Sequence, residues 1–206
     1  RDTVLQSIAR GYGEVTNQVF GPDSGAYVDE LDERYPFDPE LARELLADAG
    51  YPDGFELPVT AIPGFESAMA VLTQQFEDIG VRVRPISAPG ATMLQELADR
   101  QHATLIWNLF QGEPWVAINQ MISTDALYNP FDSTSEELQT MIEAVRTGGD
   151  DSAELAQQVN DYVTENAWFV PFYRADQLYV YDAEKISVEP QVQQAVPSIY
   201  NYSPVE

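Results

Sequence analysis

Residues 35–55 read YPFDPELARELLADAGYPDGF, and this stretch decides how the chain folds. Asp38 is a favourable helix N-cap, and Pro39 suits the first helical position because an N–H would have no partner there. Gly50 ends the helix, since glycine readily adopts the left-handed conformation of a C-cap. The predicted helix places its apolar residues on one face: Leu41, Ala42, Leu45, Leu46 and Ala49.

The residues after this helix predict a turn and then a strand. Pro52 and Gly54 are typical turn residues, and residues 55–61 alternate apolar and other side chains as a strand does. Helical spacing over 67–79 precedes strand-like residues 81–84, and a helix over 92–100 precedes an apolar run at 104–107. Three strands joined by helices predict an α/β fold with right-handed crossovers and a mostly parallel sheet.

The remaining segments predict further helices and two later strands. A short helix is expected over residues 3–9, and residues 133–136 read as a capping box before a helix that ends at Gly148 and Gly149. Another helix is expected over 152–166, followed by strands over 168–173 and 178–181. From Glu189 onward no element is assigned.

Length and charge limit the number of domains and the classes of partner that this chain can have. The 206 residues favour one domain over two, so we expect a single domain over residues 1–206. Ten basic against 34 acidic residues give a formal net charge of −24, which argues against nucleic acid and anionic membranes as partners. No apolar run is long enough to span a membrane, and the opening Arg-Asp-Thr lacks a signal core, so we expect a fragment or a processed product.

The scarcity of reactive side chains argues against a catalytic or metal-dependent role. With no cysteine and His102 as the single histidine, the chain offers no zinc site of ordinary composition and no Ser-His-Asp set, and we expect His102 at the surface. The acidic clusters at 29–30, 32–33 and 150–151 lack calcium-loop spacing and are interpreted as solvated surface. We therefore predict no metal, no cofactor and no enzymatic activity.

The stretch 35–55 closely resembles the characteristic segment of the extracellular solute-binding proteins of peptide/nickel-type ABC importers, family 5. Residues 1–13, 76–83 and 171–174 resemble other segments of that family in the same order. The resemblance implies the C-terminal lobe of a type II periplasmic-binding-protein-like fold, with the N-terminal lobe absent from this chain. It also implies permease subunits as partners, a peptide-like or other small organic solute, and an extracytoplasmic location, either periplasmic or as a cell-surface lipoprotein.

The resemblance also indicates candidate ligand-binding residues after the third strand. The family usually has a Trp there, an Asp three residues later that captures the α-amino group of a peptide, and then an acidic residue followed by Pro. In this sequence the corresponding residues are Trp107, Phe110 and Glu113, with Asn108 and Trp115 beside them. Because a phenyl ring cannot neutralise a buried ammonium, Phe110 favours an apolar or carbohydrate-like solute over a peptide held by its N-terminus.

Each candidate has an alternative interpretation. The aromatic residues of this segment follow a strand at the edge where open α/β sheets bind ligands, but they could equally pack in the core. Glu113 is either a polar contact at the rim or a solvated loop acid. Tyr173 and Arg174 either face the cleft or form a hairpin turn with a surface arginine. At the level of the whole chain, the alternatives are a carboxylate-dependent glycoside hydrolase and an extracellular sensor or interaction domain.

Overall fold

The computed structural model describes residues 1–61, 63–87, 90–102, 104–108, 113–176, 178–191 and 196–205. The helices are α1 Asp2–Ala9, α2 Pro39–Asp48, α3 Glu66–Glu77, α4 Gly90–Ala98, α5 Pro114–Ala117, α6 Glu136–Thr147 and α7 Ser152–Glu165. The strands are β1 Glu14–Val15, β2 Glu56–Ala61, β3 Arg82–Ser87, β4 Leu105–Ile106, β5 Tyr173–Arg174, β6 Ile186–Val188 and β7 Tyr202–Pro204. Short 3₁₀ turns cover Asp29–Glu33, Gly149–Asp151 and Ile199–Asn201, and one π turn covers Ile118–Ile122.

The parallel sheet predicted from the sequence is confirmed. Its strand order is β3-β2-β4, with both neighbours parallel to the central β2. Six residues of β2 pair with β3, from Glu56 opposite Arg82 to Ala61 opposite Ser87, whereas β4 pairs only at its two residues. Because all three strands run the same way, the segments that follow Ala61, Ser87 and Ile106 leave from one edge of the sheet.

The stretch 35–55 forms the predicted helix and turn. The Asp38 carboxylate accepts a hydrogen bond from the Leu41 backbone N–H at 2.9 Å, which confirms the N-cap. Gly54 has a φ of +70°, and a Cβ there would lie 1.8 Å from the Gly80 carbonyl oxygen. Only glycine fits this position, because the turn brings the start of β2 against the loop that precedes β3.

The larger hydrophobic core lies under α6 and α7 rather than under the sheet. Its fully buried members include Phe20, Ile118, Ile122, Leu138 and Val159. A smaller cluster of Val59, Ala61 and Met69 joins β2 to α3. The apolar face of α2 contributes to neither, since Leu41 and Leu45 are 47% and 59% exposed.

Three sequence-based assignments in the C-terminal half need correction, and a fourth, the strand predicted over residues 178–181, is wrong because these described residues form no strand. The N-cap of α6 is Ser135, whose hydroxyl accepts from the Leu138 backbone N–H, and not Ser133, whose own N–H donates to Asn129. Strand structure near the predicted 168–173 is limited to β5, which pairs antiparallel with β1. The unassigned tail contains β7, which forms an antiparallel pair with β6.

Candidate functional site

The carboxyl edge of the parallel sheet carries the first candidate residues. Trp107 and Asn108 directly follow β4, where the indole is half-buried and Asn108 is exposed. Open α/β sheets bind ligands at this edge, where loops leave the ends of neighbouring parallel strands. The structure therefore places Trp107 and Asn108 at this edge of the sheet. Phe110 lies outside the described residues.

Tyr128 is a neighbour of Trp107 that the sequence does not reveal. The two rings lie 5.5 Å apart between centroids, tilted by 45°, so they are in aromatic contact. Burial raises the pKa of the Tyr128 phenol, and the residue also packs at the margin of the larger core. Tyr128 lies in a loop without periodicity, so no pattern in the sequence connects it with Trp107. We call these two residues the aromatic pair.

Glu113 and Trp115 lie at the start of α5. Glu113 is exposed, and its carbonyl oxygen accepts from the Val116 N–H at 2.8 Å, while its side chain makes no cap bond. Trp115 is 37% exposed and borders a cavity of about 310 Å³. The described residues that line this cavity come from α5 and the α6–α7 junction: Pro114, Trp115, Val145, Arg146, Gly149, Ser152 and Ala153. Neither Trp107 nor Tyr128 is among the described residues that line this cavity.

The side chain of Arg174 is held within the chain. Its guanidinium forms ion pairs with Glu14 at 3.0 Å and Asp32 at 3.3 Å, and lies 5.5 Å from the centre of the Tyr27 ring. Burial alone would lower the pKa of Arg174, but the hydrogen bond that its guanidinium donates to Glu14 and the charge of Asp32 outweigh burial and raise it. The alternative of a surface arginine at a hairpin turn is wrong, because β5 pairs with the distant β1. The preceding Tyr173 is half-buried, which raises the pKa of its phenol.

Asp32 is the centre of this network. Its carboxylate accepts hydrogen bonds from the Thr16 hydroxyl at 2.7 Å, the Asn17 backbone N–H at 3.0 Å and the Tyr27 hydroxyl at 2.6 Å. Burial pushes the pKa of Asp32 upward, yet these hydrogen bonds outweigh burial and hold the pKa below its ordinary value. The side chain is only 19% exposed, so the expectation that Asp32 is a solvated acid is wrong.

His102 is buried, which corrects its predicted surface position. The His102 side chain is 7% exposed, with Nδ1 at 3.0 Å from the Thr60 hydroxyl and Nε2 at 2.9 Å from a carboxylate oxygen of Glu96. Because a carboxylate only accepts, Nε2–H is the donor to Glu96, and in the neutral ring Nδ1 accepts from Thr60. Hydrogen bonds from Thr92 and then from His102 lower the pKa of Glu96. The ring thereby joins α4 to the central strand, just before β4.

The part of the chain that the structure describes contains neither a cluster of metal ligands nor a helix that could span a membrane. Within those residues, no group of three or more His, Cys, Asp or Glu side chains has the arrangement to hold a metal ion. Among the helices of that same part, none has the length and apolar character needed to cross a bilayer.

Comparison with known sequences gives one family match and several relatives. Residues 1–130 match the family described as bacterial extracellular solute-binding proteins, family 5 middle. Heme-binding protein A of Haemophilus influenzae is 25% identical over 138 residues, which are 63% of this chain and 25% of that protein. Glutathione-binding protein GsiB of Salmonella typhimurium is 37% identical over 87 residues, which are 41% of this chain and 17% of that protein.

Solved structures share the fold. The periplasmic binding protein DppA from Helicobacter pylori, in complex with the peptide STSA, has a TM-score of 0.74 at 19% identity and is matched over 84% of this chain and 35% of its own. A dipeptide-binding protein from Pseudoalteromonas in complex with Met-Leu has a TM-score of 0.74 at 20% identity, over 84% of this chain and 37% of its own. The predicted α/β lobe of type II periplasmic-binding-protein-like fold is confirmed. The chain spans about a third of these solved relatives and a quarter or less of the two sequence relatives.

Proposed function

Because the family match covers residues 1–130, more than half of the chain, the chain belongs to the bacterial extracellular solute-binding proteins of family 5, and from this we propose its function. We propose that residues 1–206 form a single domain, the C-terminal lobe of a two-lobed solute-binding protein. The whole protein captures a solute between its lobes outside the cytoplasm and delivers it to the permease of an ABC importer. The observation that carries this proposal is the position of Trp107, half-exposed at the carboxyl edge of the parallel sheet beside Tyr128.

Under this proposal the solute contacts the segment that begins at Trp107. Its ring offers a flat apolar surface, and Asn108 and Glu113 offer exposed polar groups nearby in the chain. Phe110 and Trp115 extend the aromatic character of this segment. Tyr128 joins them because it supports the Trp107 ring. Tyr173 and Arg174 remain candidates as well, although Arg174 already forms two ion pairs within the chain.

The solute class follows from the composition of that segment. The relatives differ widely in their named ligands, which include heme, glutathione and peptides. Among peptide binders of the family, an acidic residue at the position of Phe110 would hold the ammonium of a bound peptide. We propose a solute without a free ammonium at this point, apolar or carbohydrate-like, because an aromatic ring stacks on such a surface.

The proposed mechanism requires binding and closure but no bond-making step. A single lobe buries only part of a solute, so apposition of a second lobe supplies the rest of the contact surface and favours the closed state. No residue of the chain needs to act as a nucleophile or general base. The hydrolase alternative lacks support, since the relatives named above are all binding proteins.

The proposal is tested by identifying the solute. The longer protein that contains this chain is purified under mild conditions, and its bound small molecules are identified by native and denaturing mass spectrometry. Calorimetry then compares the wild type with Trp107→Ala, and with Phe37→Ala as a control, because Phe37 is an 85% exposed aromatic residue outside the proposed site. A solute whose affinity falls only for Trp107→Ala supports the proposal. Equal affinity in all three proteins would contradict it.

A further inference from the structure

The segment that follows β2 leaves the sheet beside Trp107. β2 and β4 are neighbouring parallel strands, and Ala61, the last residue of β2, pairs with Ile106, the residue before Trp107. In open α/β sheets, ligands bind where the loops after neighbouring parallel strands leave the sheet. Residues 63–66, of which all but Phe65 are exposed, therefore border the proposed solute site.

The backbone donors at the start of α3 are already used by a carboxylate of the chain. α3 begins at Glu66, and a helix N-terminus normally attracts negative groups because its first N–H groups lack partners. Here the Glu66 carboxylate accepts a hydrogen bond from the Gly64 N–H at 3.0 Å. Backbone hydrogen bonds from Glu66 itself and from Gly64 lower the pKa of Glu66, so its carboxylate is ionised at neutral pH. An anionic solute would meet a negative charge at this position.

The two segments that leave β2 and β4 supply no counter-charge for an anion. Carboxylate and phosphate groups of ligands are held most strongly by charge-assisted hydrogen bonds from Arg or Lys. Residues 61–68 and 107–117 contain no Arg, Lys or His. A carboxylate or phosphate of the solute therefore has no cationic partner in either segment.

Two arginines of other elements are paired with carboxylates. Arg146 borders the cavity beside Trp115, and its guanidinium donates two hydrogen bonds to Glu143, at 2.7 and 2.5 Å. Arg100 forms an ion pair at 2.7 Å with Asp132, in the loop before α6. An anionic solute would have to compete with these carboxylates for either guanidinium.

A cationic solute lacks a buried partner in the same two segments. Burial of a charge is costly unless an opposite charge lies beside it. The acidic residues of residues 61–68 and 107–117 are Glu66 and Glu113, and both are exposed. Glu66 also accepts the backbone hydrogen bond from Gly64. These segments therefore favour a solute without charge of either sign.

The polar groups beside the Trp107 ring argue against a wholly apolar solute. Asn108, Glu66 and Glu113 are all exposed, and closure of a second lobe over an apolar solute would deprive such groups of water without replacing their hydrogen bonds. Hydroxyl groups can replace them, because a hydroxyl donates to carboxylate and amide oxygens and accepts from an amide N–H.

We propose that the solute presents an uncharged, hydroxylated surface to this lobe, as a neutral oligosaccharide does, and that residues 63–66 contact it together with Trp107 and Asn108. The indole stacks on an apolar face of the solute, and the polar side chains around the ring bind its hydroxyl groups. This inference rests on the proposed function, narrows the class of solute and adds the segment after β2 to the site.

The test uses three trisaccharide probes that differ in charge. Calorimetry measures the affinity of the longer protein, freed of bound solute, for cellotriose, which is neutral, for trigalacturonate, which is anionic, and for the trimer of glucosamine, which is cationic. We expect cellotriose to bind at least about 10-fold more tightly than either charged probe. A charged probe that binds as tightly as cellotriose, or a failure of all three probes to bind, would overturn the inference.

A charge reversal tests the contribution of residues 63–66. Glu66→Lys should raise the affinity for trigalacturonate at least about 5-fold, because it replaces a negative charge beside the site by a positive one. Glu77→Lys is the matched control, since Glu77 is an exposed acid at the opposite end of α3, and it should change this affinity by less than about 2-fold. Equal effects of the two variants would overturn the assignment of this segment to the site.

Failure of this inference is distinguishable from failure of the proposed function. A charged solute that co-purifies with the longer protein and loses affinity with Trp107→Ala would overturn the inference and leave the proposed function intact. Binding of cellotriose that is equally tight to the wild type and to Trp107→Ala would instead contradict the site on which the proposed function depends.

Discussion

The indole of Trp107 lies against the ring of Tyr128, with centroids 5.5 Å apart, at the edge of the sheet where the proposed solute site begins. Tyr128 itself is anchored in the larger core beneath α6 and α7. The aromatic pair therefore connects the sheet, which positions the site, with the helical half of the lobe, which contains the larger hydrophobic core.

We predict that Tyr128→Ala weakens solute binding while Tyr128→Phe preserves it. Removal of the ring deprives Trp107 of its neighbour, and an aromatic contact contributes about 0.5–1.5 kcal/mol, which corresponds to roughly a 2- to 12-fold loss of affinity. Tyr128→Phe keeps the ring and serves as the matched control. The measurement is calorimetry of the longer protein with its co-purified solute. Equal affinities for the two variants would show that the ring does not support the site.

The Asp32 network should make stability depend on pH. Because the pKa of folded Asp32 lies below its unfolded value, its stabilising contribution is complete above the unfolded pKa and is lost as the pH falls through the folded pKa. Asp32→Asn should lower the free energy of unfolding by about 1–3 kcal/mol at neutral pH, and by less below about pH 3. Urea unfolding at both pH values measures the difference.

A matched surface variant provides the control for Asp32. Glu165 also forms an ion pair with an arginine, Arg34, but its side chain is 68% exposed. Glu165→Gln should change the free energy of unfolding by less than about 1 kcal/mol at either pH. A cost for Glu165→Gln as large as that for Asp32→Asn would mean that burial of the Asp32 network contributes nothing.

His102→Ala should lower the free energy of unfolding, because the groups that the imidazole hydrogen-bonds lose their partner. Thr60 is 1% exposed, so loss of the imidazole leaves its buried hydroxyl without this acceptor, at a cost of about 1–3 kcal/mol. Thr60→Val removes the hydroxyl as well. In a double-mutant cycle, His102→Ala should therefore cost less in the Thr60→Val background. Strictly additive costs would contradict the buried hydrogen bond.

Two glycines with left-handed backbones should respond differently to alanine. At Gly54 a Cβ would lie 1.8 Å from the Gly80 carbonyl oxygen, whereas at Gly50, with a φ of +90°, no heavy atom lies within 4 Å. Gly50→Ala should cost about 1 kcal/mol of backbone strain, and Gly54→Ala clearly more, because the β2 and β3 ends must also move apart. Similar midpoints in chemical denaturation for the two variants would be inconsistent with the close approach of Gly54 and Gly80.

The sequence predicts the features of this lobe that local chemistry determines. The N-cap at Asp38 and the turn at Gly54 are predictable from the sequence, because each depends on interactions within a few residues or on a single backbone angle. The parallel sheet follows from three strands separated by helices. Family resemblance added the expected site at Trp107, which no periodicity identifies.

The features that the sequence does not predict depend on contacts between distant residues. Asp32 and Arg174 are 142 positions apart, and Thr60 and His102 are 42 apart, so neither pair has a spacing that a helix or strand would impose. Composition favoured surface positions for Asp32 and His102 because isolated charged and polar residues are usually exposed. The capping error arose because Ser133 and Ser135 both precede acidic residues and are both suited to the N-cap position.

The central claim is that this chain is one lobe of a two-lobed receptor. The most direct test is calorimetry, which measures the affinity of the co-purified solute for the longer protein and for the 206-residue chain. The second lobe should contribute much of the buried surface, so the longer protein should bind at least about 100-fold more tightly, a difference of roughly 2.7 kcal/mol. Equal affinities for the two proteins would contradict the claim, because they would show that these 206 residues hold a complete binding site.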